Sequence, residues 1–209
     1  MFLRPSTPVV PTLAGDYPEW HRGREHFSLW YIEIEHPELL DYLNQLRADF
    51  SNFLYTPNSR QFHITLFVCG FITEQNPILD DDFGVEKLHQ HIQDLAHSFP
   101  KKIQLKTGRI NSFESALFVE IIDEGNVLLK LRNILGQRCQ EIAPLDYCTH
   151  LTSGLYHKDF NSDLVFNHIK SIEQKSFEFS VDQLTFGTYQ AKILQGQLYP
   201  FQQFKLENA

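Results

Sequence analysis

Residues 61–71 read Gln-Phe-His-Ile-Thr-Leu-Phe-Val-Cys-Gly-Phe, an apolar, β-branched and aromatic run with one imidazole and one hydroxyl set into it. A run of that composition is a strand. Side chains at i and i+2 of a strand share a face, so His63 and Thr65 project together while Ile64 points the other way, into a core. The pattern returns as His150-Leu151-Thr152 inside a second apolar run, 148–156. Upstream of each lies a similar strand, Trp30-Tyr31-Ile32-Glu33-Ile34 and Leu117-Phe118-Val119-Glu120-Ile121. Both pairs are separated by the same step of 87 residues, 150 − 63 and 117 − 30. A common step over two separate segments marks an internal duplication.

Outward from these anchors the chain alternates. Residues 27–35 read as a strand. Pro37 suits a first helical turn, and Leu39, Leu43, Leu46, Phe50 and Phe53 then recur at helical spacing. Val85, Leu88, Ile92, Leu95 and Phe99 mark a second amphipathic helix, ended by Pro100. Strands follow at 102–110 and 116–122, then a helix carrying Val127, Leu128, Leu131, Ile134 and Leu135. Ser162 is placed to cap a short helix with Leu164, Val165, Ile169 and Ile172, and the last strands are read at 177–189 and 193–206. Each half is therefore strand, helix, His-x-Thr strand, helix, strand. The expected fold is α+β and bilobal, with duplicated strand-helix-strand units, two antiparallel sheets flanking a central cleft, and helices outside. The single domain spans 26–206, with halves of about 26–111 and 112–206. Before it, Pro5, Pro8, Pro11 and Pro18 exclude regular structure and make 1–25 an extended N-terminal arm, read as a lead-in rather than a lid.

Two equivalent strands facing each other across a cleft bring together two imidazoles and two hydroxyls. That set suffices for phosphodiester cleavage without a metal. One neutral imidazole takes a proton from attacking water, one imidazolium gives a proton to the leaving oxygen, and the hydroxyls donate to the nonbridging phosphoryl oxygens. Histidine serves both roles because its free pKa lies near neutrality, and the rate should be bell-shaped in pH.

Composition narrows the alternatives. Of 209 residues, 18 are Lys or Arg and 26 Asp or Glu, a formal net charge of −8. A chain that coats DNA or RNA needs a basic surface, so nucleic-acid coating is excluded, while a small basic cleft that grips one phosphate is not. Cys69, Cys139 and Cys148 are odd in number and at no metal-ligand spacing, which fits a reducing cytoplasm. No apolar run approaches the ~18–20 residues of a membrane helix, and no signal peptide is read at the N-terminus. A monomer with no cofactor and no bound metal is expected.

On its two motifs the chain resembles the 2H phosphoesterase superfamily, which includes the bacterial and archaeal 2′-5′ RNA ligase/RNA 2′,3′-cyclic phosphodiesterase family. The family's first motif, approximately His-x-Thr-Leu-x-x-x-Gly, stands here as His63-Ile64-Thr65-Leu66-Phe67-Val68-Cys69-Gly70. The second stands as His150-Leu151-Thr152. The resemblance covers roughly 26–206 in order of elements. It implies a bilobal fold around a cleft, metal-independent attack on a 2′,3′-cyclic phosphate giving a 2′-phosphate, and His63, Thr65, His150 and Thr152 as the catalytic set. The substrate implied is a nucleotide or an RNA terminus. After the second motif the family often has Leu and, five residues past the His, Arg; here those positions are Ser153 and Leu155. For cleavage to a 2′-phosphate, His63 is assigned to the leaving O3′ and His150 to the water.

Other residues complete the expectation. Arg60, in the loop before His63, is a candidate to hold a terminal phosphate. Tyr156 lies by parity on the His150 and Thr152 face and is a candidate to stack on a base. Lys101, Lys102, Lys106 and Arg109 read as an exposed edge strand defended by charge. His89 and His91 are splayed on a helix, Asp80, Asp81 and Asp82 read as a hydrated loop, and Glu33 and Glu120 read as solvent-facing. Cys148 has no base partner and is not read as a nucleophile. Two alternatives stand beside the phosphodiesterase: a binding module that holds nucleotide or RNA ends without turnover, and a hydrolase of 2′-5′ or cyclic oligonucleotides.

Overall fold

In the computed structural model, which describes residues 1–98, 101–142 and 146–207, the elements run α1 (Pro18–His21), β1 (His26–Glu33), α2 (Pro37–Asp49), β2 (His63–Thr73), β3 (Asp82–Gly84), α3 (Val85–Ser98), β4 (Ile103–Ser112), β5 (Ala116–Ile122), α4 (Val127–Leu135), β6 (His150–Leu155), α5 (Ser162–Ser171), β7 (Glu178–Val181), β8 (Gln183–Gln190) and β9 (Tyr199–Lys205). The strands order as β7-β4-β5-β6-β2-β1-β8-β9, with β3 parallel to β2 and the other pairings between these strands antiparallel. In place of the two separate sheets expected there is one continuous nine-stranded sheet, whose lobes are β7-β4-β5-β6 and β2-β1-β8-β9. They meet through the single pair Ile64 and Leu151, where the two His-x-Thr strands pass each other. Both residues are fully buried, so the apolar centre of each motif joins the lobes and leaves its polar neighbours on the opposite face.

The pairing register repeats from one lobe to the other. Glu33 pairs with His63, Ile32 with Ile64 and Tyr31 with Thr65; Glu120 pairs with His150, Val119 with Leu151 and Phe118 with Thr152. In the first lobe the next pair is Trp30 with Phe67, leaving Leu66 as an extra residue; in the second it is Leu117 with Gly154, leaving Ser153 extra. A β-bulge thus follows each motif at the same place. The helices cross over: α2, from the first half, packs on β6, and α4, from the second, packs on β2. On α2 the residues Leu39, Leu43 and Leu46 form the buried stripe that the sequence spacing demands.

Several boundaries differ from the sequence reading. The cap of α5 is Asn161, whose side chain accepts from the Asp163 amide at 2.8 Å; Ser162 is the first helical residue, and its hydroxyl accepts from the Thr7 amide. The basic stretch is not an edge, because β4 lies between β5 and β7. Residues 193–198 are a loop rather than the start of the last strand. Phe99 and Pro100, read as the end of the second helix, lie outside the described residues.

The N-terminal arm lies on the body and is not extended throughout: Pro18, at a first helical position where a missing N–H costs nothing, opens the one-turn α1. Leu3 and Val9 are buried, and backbone bonds run from Leu3 to Ser112, Val9 to Phe160 and Thr12 to Tyr156. Arg24 anchors its far end to Asp81 at 2.5 Å and Asp82 at 2.7 Å, so the acidic loop is an ion-pair anchor rather than a hydrated turn. No helix of the described residues is long and apolar enough to cross a membrane.

Candidate active site

His63 and His150 are the first residues of β2 and β6. Each ring is fixed by the same device. His63 Nδ1 bonds the Gln61 carbonyl at 2.8 Å, and His150 Nδ1 bonds the Cys148 carbonyl at 2.6 Å. A carbonyl only accepts, so Nδ1 carries the hydrogen in both rings and Nε2 is the nitrogen whose protonation changes. Aromatic neighbours hold the ring planes: Tyr31 meets His63 edge-on at 5.7 Å, while Phe113 and Phe118 meet His150 at 4.9 and 5.4 Å. Glu33 and Glu120 sit across the ladder from the histidines but do not orient them; the Glu120 carboxylate is bonded to Asn111 at 2.7 Å. That task falls to two backbone carbonyls, which sequence patterning does not reveal.

Burial pushes the His63 pKa down to about 4; the Gln61 carbonyl opposes this, and the charges of Arg60 and His150 add to it. The two histidines open neighbouring strands, which pair at Ile64 and Leu151, the residues next to them in the chain. Burial lowers His150 as well, opposed by the Cys148 carbonyl. His91, fully buried between Trp30 and Cys139, is likewise lowered to about 4, first by burial. A histidine with a depressed folded pKa is neutral in the fold while the unfolded chain takes up a proton below about 6.5, so its contribution to stability is lost as pH falls. We therefore expect folding stability to fall from pH 6.5 to pH 4, and His91→Phe to flatten that slope. Urea unfolding across that range measures it, and an unchanged slope in the variant contradicts it.

The cleft has a volume of about 380 Å³; of the four expected catalytic residues His63, Thr65 and Thr152 line it, while His150 is not among its lining residues and stands at the start of the adjoining β6. Among the described residues neither threonine hydroxyl is hydrogen-bonded to protein; the Thr65 carbonyl accepts from Tyr147. Arg60 also lines the cleft, stacked on Tyr189 at 4.1 Å with Nε donating to the Gly196 carbonyl at 2.6 Å. Tyr156 does not. It is fully buried, its hydroxyl shared with Ser112 at 2.6 Å, and it has no surface to offer a base. The bulge at Ser153 is the reason: the extra residue resets the side-chain alternation, so Leu155 lines the cleft and Tyr156 turns into the core. Ser153 itself is buried with its hydroxyl unbonded.

Two groups in the cleft were not singled out from sequence. Arg47, from the last turn of α2, reaches it by donating from Nε to the Ser153 carbonyl at 3.0 Å, over the Phe62 ring. Its one sequence signal is its place four residues after Leu43, at the flank of the buried stripe. Gly15, Tyr17 and Trp20 of the arm form a wall of the cleft, so the arm is more than a lead-in. Cys148 contributes its carbonyl, while burial raises its thiol pKa, against a nucleophile. His89 is exposed and His91 buried, and no cluster of three or more His, Cys, Asp or Glu suited to a metal occurs among the described residues.

No curated protein matches the chain by sequence. Among solved structures, apo LigT of E. coli is similar over 89% of this chain and 100% of its own, with TM-score 0.61 and 14% identity. LigT complexed with 3′-AMP is similar over 87% and 98%, with TM-score 0.62 and 14% identity. A protein described as a phosphoesterase is similar over 88% and 99%, with TM-score 0.56 and 13% identity. At that identity the likeness is one of fold: the curled antiparallel sheet with its few helices. The sequence itself matches the model of the 2′-5′ RNA ligase superfamily over residues 35–192, a span that holds both His-x-Thr strands, and the chain belongs to that superfamily, the 2H phosphoesterases.

Proposed function

We propose that the cleft is the active site of a phosphodiesterase that opens 2′,3′-cyclic phosphates of nucleotides or RNA ends and leaves a 2′-phosphate. The observation that supports this best is the matched pair of imidazoles. Each is tied through Nδ1 to a carbonyl two residues upstream and has a threonine two residues downstream on its own face. Binding alone does not need two proton-transfer groups with the same tautomer and free Nε2 atoms. Membership of a phosphoesterase superfamily and the 3′-AMP complex of LigT agree with a nucleotide substrate.

In the reaction, water attacks phosphorus opposite O3′. His150 Nε2 takes the water's proton, the P–O3′ bond breaks, and His63 Nε2 gives its proton to O3′. Thr65 and Thr152 donate to the nonbridging oxygens, where charge builds in the transition state. Both imidazoles are depressed in the free protein, so the acid takes up its proton together with the anionic substrate. We read the protein as a monomer, and its three cysteines, odd in number and at no metal-ligand spacing, suit a reducing cytoplasm.

Hydrolysis of 2′,3′-cyclic AMP in excess EDTA, with the product isomer identified, is the test. Turnover to 2′-AMP is expected. Thr65→Val and Thr152→Val should each lower kcat by about 10²–10³-fold with little change in KM. Binding without product, or turnover only on adding a metal ion, overturns the proposal.

A further inference from the structure

The half-buried arginines of this chain divide into two groups. Arg24 is paired with Asp81 and Asp82, and Arg132 with Glu141. Arg138, more exposed, is paired with Asp94. Arg47 and Arg60 are half-buried and, among the described residues, have no carboxylate partner. These two are the arginines that line the cleft. A guanidinium removed from water without a counter-ion is costly unless something supplies the missing negative charge. Burial lowers the pKa of both, consistent with that missing charge.

Their geometry is that of prepared donors. Each uses Nε to fix itself to a backbone carbonyl, Arg47 on Ser153 at 3.0 Å and Arg60 on Gly196 at 2.6 Å. Each plane lies on an aromatic ring, Phe62 at 4.0 Å and Tyr189 at 4.1 Å. Arg47 also gives one Nη2 bond, at 3.4 Å, to the Arg60 carbonyl, which links the two residues. The loop beneath is braced, the Arg60 amide on Asn58 at 3.1 Å and the Asn58 amide on Gln195 at 3.2 Å. The Nη groups of Arg60 remain without a partner among the described residues. Rigid, desolvated guanidinium forks are the protein's best phosphate ligands.

We propose that Arg47 and Arg60 together hold a second phosphate, so that the substrate carries a phosphate group besides the one being opened. This rests on the reading of the cleft as a phosphodiesterase site. The position five residues past His150 offers only Leu155, and Arg47 brings a cation to the neighbouring Ser153 carbonyl from a different element. The second phosphate has two possible sources: the 5′-phosphate of a mononucleotide, or the internucleotide phosphate of an RNA end.

The test compares kcat/KM for 2′,3′-cyclic AMP, its 5′-phosphorylated form, and the dinucleotide ApA ending in a 2′,3′-cyclic phosphate. At least one phosphate-bearing substrate should exceed the plain one by about tenfold or more. The larger gain identifies the source. Arg60→Gln and Arg47→Gln should bring the ratio towards one, Arg47→Lys should keep part of it, and the exposed Arg4→Gln should leave it unchanged. The wild-type ratio needs no variant, so an unfolded Arg47 variant does not protect the idea. Equal rates on all three substrates, or a ratio that survives both glutamine variants, overturns it. Should wild type hydrolyse none of the three, the catalytic reading fails separately. Titration with adenosine 2′,5′-bisphosphate against 2′-AMP then decides. Tighter binding of the bisphosphate, lost in Arg60→Gln, upholds the subsite, and equal binding rejects it.

Discussion

Replacing His63 or His150 by alanine should lower kcat on a 2′,3′-cyclic phosphate by about 10²–10⁴-fold each, the worth of one positioned proton-transfer group. The double variant should lose little more than the worse single one, because the two imidazoles act in one step. The fold should survive. Each ring is half-buried, sits at the first residue of its strand, and is bonded to backbone through one nitrogen. In the wild type kcat/KM should be bell-shaped with its maximum below about pH 6.5, because one ring must be charged and both are held below the ordinary histidine value. Rates fall at higher pH as the imidazolium is lost, and at lower pH as the base is protonated. Arg60→Gln removes a cation that disfavours charged His63, so the His63 titration followed by NMR should move upward. Undiminished turnover in either alanine variant would remove the two-histidine mechanism.

Gly70→Ala should destabilise the fold by about 2–6 kcal/mol, combining backbone strain with overpacking. Gly70 has φ +112, a region that side chains rarely enter, and an added Cβ would lie 2.3 Å from the Asp81 carbonyl oxygen. That oxygen is not free to move. It accepts from the Phe71 amide at 2.8 Å, and the Asp81 side chain holds Arg24 at the end of the arm. The glycine that closes the first motif is therefore a packing requirement: the segment entering β3 must approach β2 closely there, next to a second bulge, where Leu29 pairs with Val68 and Ser28 with Gly70. Denaturant unfolding measures the loss, and a loss under about 1 kcal/mol would show that the backbone yields there.

The sequence by itself determined what repeats over short range. Alternation within 61–71 put His63 and Thr65 on one face and Ile64 in the core, because a strand's side-chain period is two whatever lies around it. The step of 87 residues carried that face to His150 and Thr152 and, with the similar upstream strands, gave the α+β plan, since the same alternation of apolar and polar residues makes the same local structure. The stripe of Leu39, Leu43 and Leu46 gave α2 in the same way. Tertiary structure decided everything that depends on a partner distant in the chain. The bulge at Ser153 arises from pairing with Leu117 and Phe118, and it exchanged Tyr156 for Leu155 at the cleft. Arg47 entered because α2 packs on the β6 strand of the other half, a crossing no local period encodes. The proline-rich arm gained a role because Arg24 found Asp81 and Asp82 more than fifty residues away. Periodicity is a property of neighbours along the chain, whereas a cleft is built by residues that only folding makes neighbours.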